Sequence, residues 1–511
     1  MKIAFLNIAY ENLAVSILSA IAKKEGHTVK LLHAPTLFKD GLTREFKRLA
    51  RIFSNDQQIF KHLKEYQPDL IAFSVVTFDY QRAIHYAAIC RKLCPKAKIV
   101  FGGIHVSCVP EVVIANEFVD YVVIGEGENA FLEIIRHIEK GCPPEPIVNT
   151  WYKTGNNALI KGKQTGFIQD LDSLPHYDKE IWKDIFPLKT YYLTMASRGC
   201  PYNCSYCFNH YFRTIPDEKS NYVRRRSPGH VIEELKNAKK QYQISTVEFW
   251  DDIFIFDKPW LKEFLDAYQK EIALPFKCYI HVNLFDEDMA IWLKNAGCRW
   301  VDFGIQHINE EYRRKYLKRH ETNARIANTL RLLKKHNIVS FADYIVGLPG
   351  DTMEHNEEAR LFFTENTPDI IEPYWMSYHP RTEIIEKGFE HKILNEKTLD
   401  SIHQGLGTHS YFENSITSKD FHSEYYFIFK VLPALPGFLK KRLTYSVSRK
   451  IPYFIKLPFF IYAIFYLAFR HRSPRIKYLT SFYMKQIFWV LKSKIVSQKS
   501  IQTAAGESEG R

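Results

Sequence analysis

The chain has 511 residues, of which 46% are hydrophobic and 25% charged. These are globular proportions with room for about three domains, and nine cysteines without pairing logic argue against a secreted, disulfide-stapled protein. The net charge of +13 permits an acidic partner without naming one, so nucleic acid, anionic lipid and an anionic metabolite all stay open.

Lys2–Ile8 is a short apolar run that reads as a buried strand, with no apolar stretch or cleavage site of a signal peptide. A cytoplasmic enzyme working without oxygen is therefore expected. Leu13, Ile17, Leu18 and Ile21 then keep helical spacing to Lys24, with Gly26 beyond as a stop. Strand follows over 28–32, helix over 44–66, strand over 70–76, helix over 80–94, strand over 98–103, strand over 121–128 and a last helix to about 140. This alternation predicts an α/β fold with a doubly wound parallel sheet over 1–141, binding ligands beyond the carboxyl ends of its strands. Ser74 and Thr77 follow one strand, Gly102, Gly103 and His105 another, and Gly125-Glu126-Gly127-Glu128 a third. Glycine at such ends lets backbone approach a bulky ligand, or simply makes a tight turn.

Residues 142–190 break the composition. Cys142-Pro143-Pro144-Glu145-Pro146 stops the domain and Gly155-Asn156-Asn157 marks a hairpin turn, which predicts a linker with a small hairpin. Alternation resumes at Tyr191, with strands over 191–195, 246–250, 276–282, 300–305 and 341–346. About six βα units to residue 400 predict a partial (βα)6 barrel, whose chemistry would sit at the strand carboxyl ends. Cys200, Cys204 and Cys207 lie in the loop after the first of these strands. Thiolates are the usual ligands of iron–sulfur clusters, and three of them leave one iron of a cubane open. Structural zinc would want a fourth protein ligand with paired spacing, and the nearest, His210, is only three residues on. Three clustered cysteines cannot all pair as local disulfides.

CxxxCxxC with an aromatic before its last cysteine, here Tyr206, resembles the signature of radical S-adenosylmethionine (SAM) enzymes. The resemblance implies a [4Fe–4S] cluster on Cys200, Cys204 and Cys207. Its open iron would chelate SAM, and one electron, from a donor such as flavodoxin or ferredoxin, would cleave SAM to a 5′-deoxyadenosyl radical. It also implies SAM contacts. Tyr206 is the motif aromatic, and Asp251 and Asp252 stand where the family meets the SAM amino group, although paired acids there are also simple caps. His281 replaces an arginine that steadies the SAM carboxylate, with Asn283 nearby in place of an aspartate. Gln306 of Gly304-Ile305-Gln306-His307 can bond ribose hydroxyls. Ile345 and Gly347, in Ile345-Val346-Gly347-Leu348-Pro349-Gly350-Asp351-Thr352, match the motif that packs on adenine. Cys278 and Cys298 read as core residues.

A doubly wound domain ahead of the cysteines resembles the cobalamin (B12)-binding radical SAM enzymes. By that resemblance Ser74, Thr77, Gly102 and Gly103 line the groove for the cobalamin nucleotide tail, and Gly125-Glu126 belongs to a turn typical of the family. One departure is the loop Asn7–Leu13, which lacks the Asp-x-His-x-x-Gly histidine that ligates cobalt.

Residues 401–511 are basic and aromatic and read as a helical extension with a polar, disordered tail over 497–511. Leu457–Phe469 is uncharged and flanked by cations. It suits either an interfacial segment, with peripheral membrane contact through 449–472, or a cap on the barrel. The expected function is a cobalamin-dependent methyltransferase acting on an unactivated carbon, or phosphorus, of a small-molecule or lipid-like metabolite. Cyclisation, oxidation or carbon–carbon coupling on the same cofactors is the alternative. Modification of tRNA ranks low, because no RNA-binding module is visible, and a non-enzymatic binding protein ranks lower still.

Overall fold

The structure is a computed structural model that describes residues 1–38, 47–141, 145–155, 158–406, 420–473 and 478–492. The expected helix start at 44–46, the stop at 142–144, the turn residues 156 and 157, and the tail over 497–511 lie outside the described residues.

The first sheet comprises β1 (Lys2–Ile8), β2 (Thr28–Ala34), β3 (Leu70–Ser74), β4 (Lys98–Gly102), β5 (Tyr121–Val123), β6 (Thr150–Lys153) and β7 (Leu159–Lys161), in spatial order 2-1-3-4-5-6-7. The first five are parallel and flanked by helices, so β1 to β5 are apolar nearly throughout. Strand order reverses between β1 and β3, which places the ligand crevice at their carboxyl ends. The hairpin expected in a linker instead continues this sheet: β6 pairs antiparallel with β5, and the Tyr121 and Tyr152 rings stack at 5.3 Å. Covering the β5 edge satisfies backbone groups that would otherwise be exposed. The helix expected over 44–66 is also two helices, Lys47–Ile52 and Asp56–Tyr66. Buried Asn55 separates them, its side chain donating to the His33 carbonyl at 2.9 Å.

The second sheet is all parallel, with β8 (Tyr192–Thr194), β11 (Val247–Phe249), β12 (Phe276–Tyr279), β13 (Cys298–Gln306), β14 (Val339–Val346) and β15 (Ile370–Trp375) in sequential order. Unbroken sequential order with right-handed βα crossovers bends the sheet into a six-stranded partial barrel. A two-stranded ribbon, β9 (Ser197–Arg198) with β10 (Arg224–Arg225), braces the cysteine loop. Inside the barrel, buried Lys277 on β12 pairs with Glu248 on β11 at 3.1 Å and Asp302 on β13 at 2.8 Å.

The C-terminal region ties these units together. Helix Tyr453–Arg470 packs on helix Phe421–Val431 through Phe460 and Ala463, Leu467 packs with Trp300, Phe341 and Ile370 of the barrel, and Lys456 pairs with Glu424 at 2.6 Å. The capping reading therefore describes one face of this helix. Residues 478–492 form a further helix against the first domain, where buried Gln486 donates to the Ile185 carbonyl at 2.9 Å.

Candidate active site

The cysteine loop is shaped by backbone before side chains. Gly199 has φ +84°, and a Cβ there would lie 2.2 Å from the Tyr222 carbonyl oxygen, so the turn into Cys200 accepts only glycine. Cys207 N–H donates to the Cys204 carbonyl at 3.1 Å and Ser205 N–H to the Leu317 carbonyl at 3.2 Å. The Arg213 guanidinium donates to the carbonyls of Cys200 and Tyr202. All three thiols are free and close enough for their charges to interact. Burial pushes Cys200 and Cys207 up to about 12. Three soft, desolvated thiols without a paired fourth fit an iron–sulfur cluster, whose positive irons hold such ligands as thiolates.

The cation over this loop is Arg319, which the sequence reading did not single out. Its Nη1 lies 3.9 Å from Cys204 Sγ and 3.1 Å from the Tyr206 hydroxyl, and its Nη2 donates to the Gly304 carbonyl at 2.7 Å. Its Nε donates to buried Glu321. His281 lies beside Arg319, its Nε2 3.4 Å from Arg319 Nη2. Its ring stacks on Tyr202 with centroids 3.8 Å apart, and burial together with Arg319 lowers its pKa to about 3, so it is neutral. The sequence signal for Arg319 is weak, because Lys318-Arg319-His320 after a charged helix looks like an ordinary solvated end.

The paired acids separate. Asp251 accepts both oxygens' worth of hydrogen bonds from Ala196 N–H at 3.1 Å and a further one from the Ser197 hydroxyl. It is buried and braces the strand-to-loop turn. Asp252 accepts from Asn209 at 3.0 Å, and its charge reaches Cys200 and Cys207. Burial raises the pKa of both carboxyls.

Gln306 ends β13 with φ +66°, its amide folded back over Gly304, where a Cβ would lie 2.2 Å away. Gln306, Tyr206, Ile345 and Trp375 line a cavity of about 270 Å³ together with Phe78 and His379. Gly347, φ +80°, lies against the Trp375 ring. Phe78 belongs to the first domain, just after β3, and meets His379 edge to face at 5.6 Å. The cavity is thus shared by the strand ends of both units.

The cobalamin set also divides. Ser74 and Gly102 are register partners at the ends of β3 and β4, and Gly125 turns with φ +80° after β5. These three carry little side chain and form a shelf, on which Ser74 Oγ accepts from Asn12 Nδ2 at 3.2 Å and Gly125 N–H donates to Ser107 Oγ at 2.9 Å. The other three are engaged within the protein. Thr77 is buried and bonded to His105 Nδ1 at 3.2 Å. At Gly103 a Cβ would meet the Val75 nitrogen at 2.6 Å, so packing alone already requires glycine there. Glu126 receives Arg198 and Arg224, each at 2.9 Å, and the Ile168 N–H at 2.8 Å, joining the first domain to the ribbon behind the cysteines. Burial alone would raise its carboxyl, but the two arginines hold it below the ordinary value.

His307, Asp351 and His355 converge with the spacing of metal ligands, yet the His307 bonding argues against a metal. His307 Nδ1 accepts the Asn309 N–H at 3.2 Å, so its Nε2 carries the hydrogen and donates to Asp351 at 3.2 Å. The cluster is a hydrogen-bonded prop under the β13 and β14 ends.

A doubly wound domain placed over a partial barrel, with three thiols at a barrel strand end and one cavity between the units, defines an enzyme that brings an iron–sulfur cluster and a second large cofactor to one substrate. Comparison with known proteins agrees. Residues 195–363 match the radical SAM superfamily and residues 6–135 the B12 binding domain. An uncharacterized methyltransferase of Pyrococcus horikoshii is 26% identical over 75% of this chain and 79% of its own. The anaerobic magnesium-protoporphyrin IX monomethyl ester cyclase of Rubrivivax gelatinosus is 22% identical over 72% of this chain and 64% of its own. The solved structure of the cobalamin-dependent S-adenosylmethionine radical enzyme OxsB, with aqua-cobalamin and S-adenosylmethionine bound, superposes with a TM-score of 0.64. It covers 99% of this chain and 81% of its own at 16% identity. The chain belongs to the radical SAM enzymes that carry a B12-binding domain, and its cofactors are a [4Fe–4S] cluster, SAM and cobalamin.

Proposed function

We propose that the protein is a cobalamin-dependent radical SAM methyltransferase acting on an unactivated centre of a small molecule. The observation that carries this reading is the cavity between Phe78 of the first domain and Tyr206, Gln306 and Trp375 of the barrel, within reach of both cofactor surfaces. When bound, the cluster with SAM supplies radical hydrogen abstraction and cobalamin supplies the methyl group.

The chain's own residues bind, orient and exclude water. Cys200, Cys204 and Cys207 would hold the cluster, with Asp252 beside its open side for an ammonium and Arg319 above it for a carboxylate. Gln306, Ile345 and Gly347 would meet the ribose and adenine, and Ser74, Gly102 and Gly125 the corrinoid tail. Phe78, Ile345 and Trp375 give the cavity apolar walls, which suits a compact substrate with an apolar body. Trp375 Nε1 is a buried donor without a partner among the described residues, available to a substrate acceptor. A one-electron donor of the flavodoxin or ferredoxin type would supply the reductant.

The test uses enzyme reconstituted without oxygen, loaded with hydroxocobalamin, desalted and supplied with SAM and reductant. Retained cobalamin, with S-adenosylhomocysteine and 5′-deoxyadenosine both formed, supports methyl transfer. Formation of 5′-deoxyadenosine without S-adenosylhomocysteine favours the cyclase-type alternative, which the magnesium-protoporphyrin relative keeps in play.

A further inference from the structure

The strand-end chemistry leaves the C-terminal region unexplained, and its charge is lopsided. Between Glu424 and Glu507 there is no aspartate or glutamate, while fifteen of the 70 lysines and arginines fall there. The remaining 55 cations face all 57 acids, a balance of −2, so the whole +13 excess belongs to this one segment. Lys430 and Lys456 are spent on Glu372 and Glu424. Lys441, Arg442, Arg449 and Lys450 are exposed and have no acidic partner among the described residues.

Large apolar side chains are exposed beside those cations. On helix Tyr453–Arg470, Phe454 is 74% exposed, Phe465 61% and Phe469 89%, with Ile461 and Tyr462 also open. Their spacing places them on one face, opposite Lys456, Phe460, Ala463 and Leu467. Phe438 (63% exposed) and Val447 are further exposed apolar side chains, on the short basic helices Gly437–Arg442 and Tyr445–Lys450.

By length and composition the helix could cross a membrane. Its inner face argues against that, since it is fixed to the barrel by apolar packing and the Lys456–Glu424 pair. A helix held flat against protein, with an aromatic outer face flanked by unpaired cations, matches an interfacial segment. We infer that the outer face of Tyr453–Arg470, with the basic helices Gly437–Arg442 and Tyr445–Lys450, docks the enzyme peripherally on an anionic lipid bilayer. Apolar contact and attraction to acidic headgroups together give stable binding where either alone is marginal.

The experiment is co-sedimentation of the full-length, cluster-reconstituted enzyme with vesicles of phosphatidylcholine alone or with about one third phosphatidylglycerol. Binding to the anionic vesicles is expected, falling at least about tenfold in high salt. Phe465→Ser/Phe469→Ser and Lys441→Glu/Arg442→Glu/Arg449→Glu/Lys450→Glu should each lower it at least about tenfold, with circular dichroism and cluster absorbance unchanged. These positions are exposed, so the fold does not depend on them. Absence of sedimentation, equal binding to both vesicles or unaltered binding by the variants would overturn the inference. A dimer in light scattering that dissociates in Phe465→Ser/Phe469→Ser, without lipid binding, would make the face a contact between copies instead.

Discussion

Arg319 donates to the Tyr206 hydroxyl at 3.1 Å, directly above Cys204, although 113 residues separate the two in sequence. This bond joins the turn after helix Glu310–Leu317 to the cysteine loop and puts a fixed positive charge where the cluster and SAM carboxylate would lie. Glu321 balances that charge from the far side.

The pair Arg319–Glu321 is buried, so removing one member strands the other. Arg319→Met should destabilise the protein by about 3–5 kcal/mol, read as a lower midpoint in denaturant unfolding. The double variant Arg319→Met/Glu321→Gln should recover most of the loss, because no uncompensated carboxylate remains. Equal destabilisation by single and double variants would show that Arg319 acts through its bonds to Tyr206 and Gly304 alone.

Glu126 ties the first domain to the ribbon behind the cysteines. Glu126→Gln keeps its size and leaves Arg198 and Arg224 short of a charge partner. A loss of about 3 kcal/mol is expected, with thermal unfolding separating into two transitions while cobalamin retention per folded molecule is unchanged. Reduced retention at unchanged stability would instead place Glu126 against the cofactor.

Two adjacent glycines should behave differently. Gly103→Ala puts a methyl 2.6 Å from the Val75 nitrogen at φ +101°, and should cost roughly 1–3 kcal/mol or more in the cofactor-free protein. Gly102→Ala meets nothing closer than Val123 Cβ at 3.7 Å and should leave that stability intact. If Gly102 is part of the cobalamin shelf, its variant should retain less cobalamin after desalting.

His105 is fully buried between Thr77 and Tyr80, and burial, assisted by His403 and His379, lowers its pKa to about 4. Its folded-state pKa lies below the ordinary value of 6.5, so the unfolded chain takes up a proton first as pH falls. Stability present above pH 6.5 is therefore lost progressively down to about pH 4. Buried His33, lowered to about 3, adds to the same trend. Thermal midpoints between pH 7 and 4.5 should fall less steeply in His105→Gln than in the parent, and parallel slopes would exclude His105 as a contributor.

What the sequence determined by itself is local. Cysteine spacing placed three thiols on one turn, and alternating apolar runs predicted two parallel sheets, because strand period, helix period and loop spacing need only near neighbours. Tertiary structure decided the roles that depend on partners far along the chain. Asp251 and Asp252 are adjacent in sequence, yet one braces Ala196 and Ser197 while the other faces the cysteines. His281 and Arg319, 38 residues apart, meet at 3.4 Å, and burial together with the guanidinium keeps the imidazole neutral, a pairing that spacing along the chain does not show. Strands Thr150–Lys153 and Leu159–Lys161 extend the first sheet and cover the β5 edge, a demand that no local pattern announces.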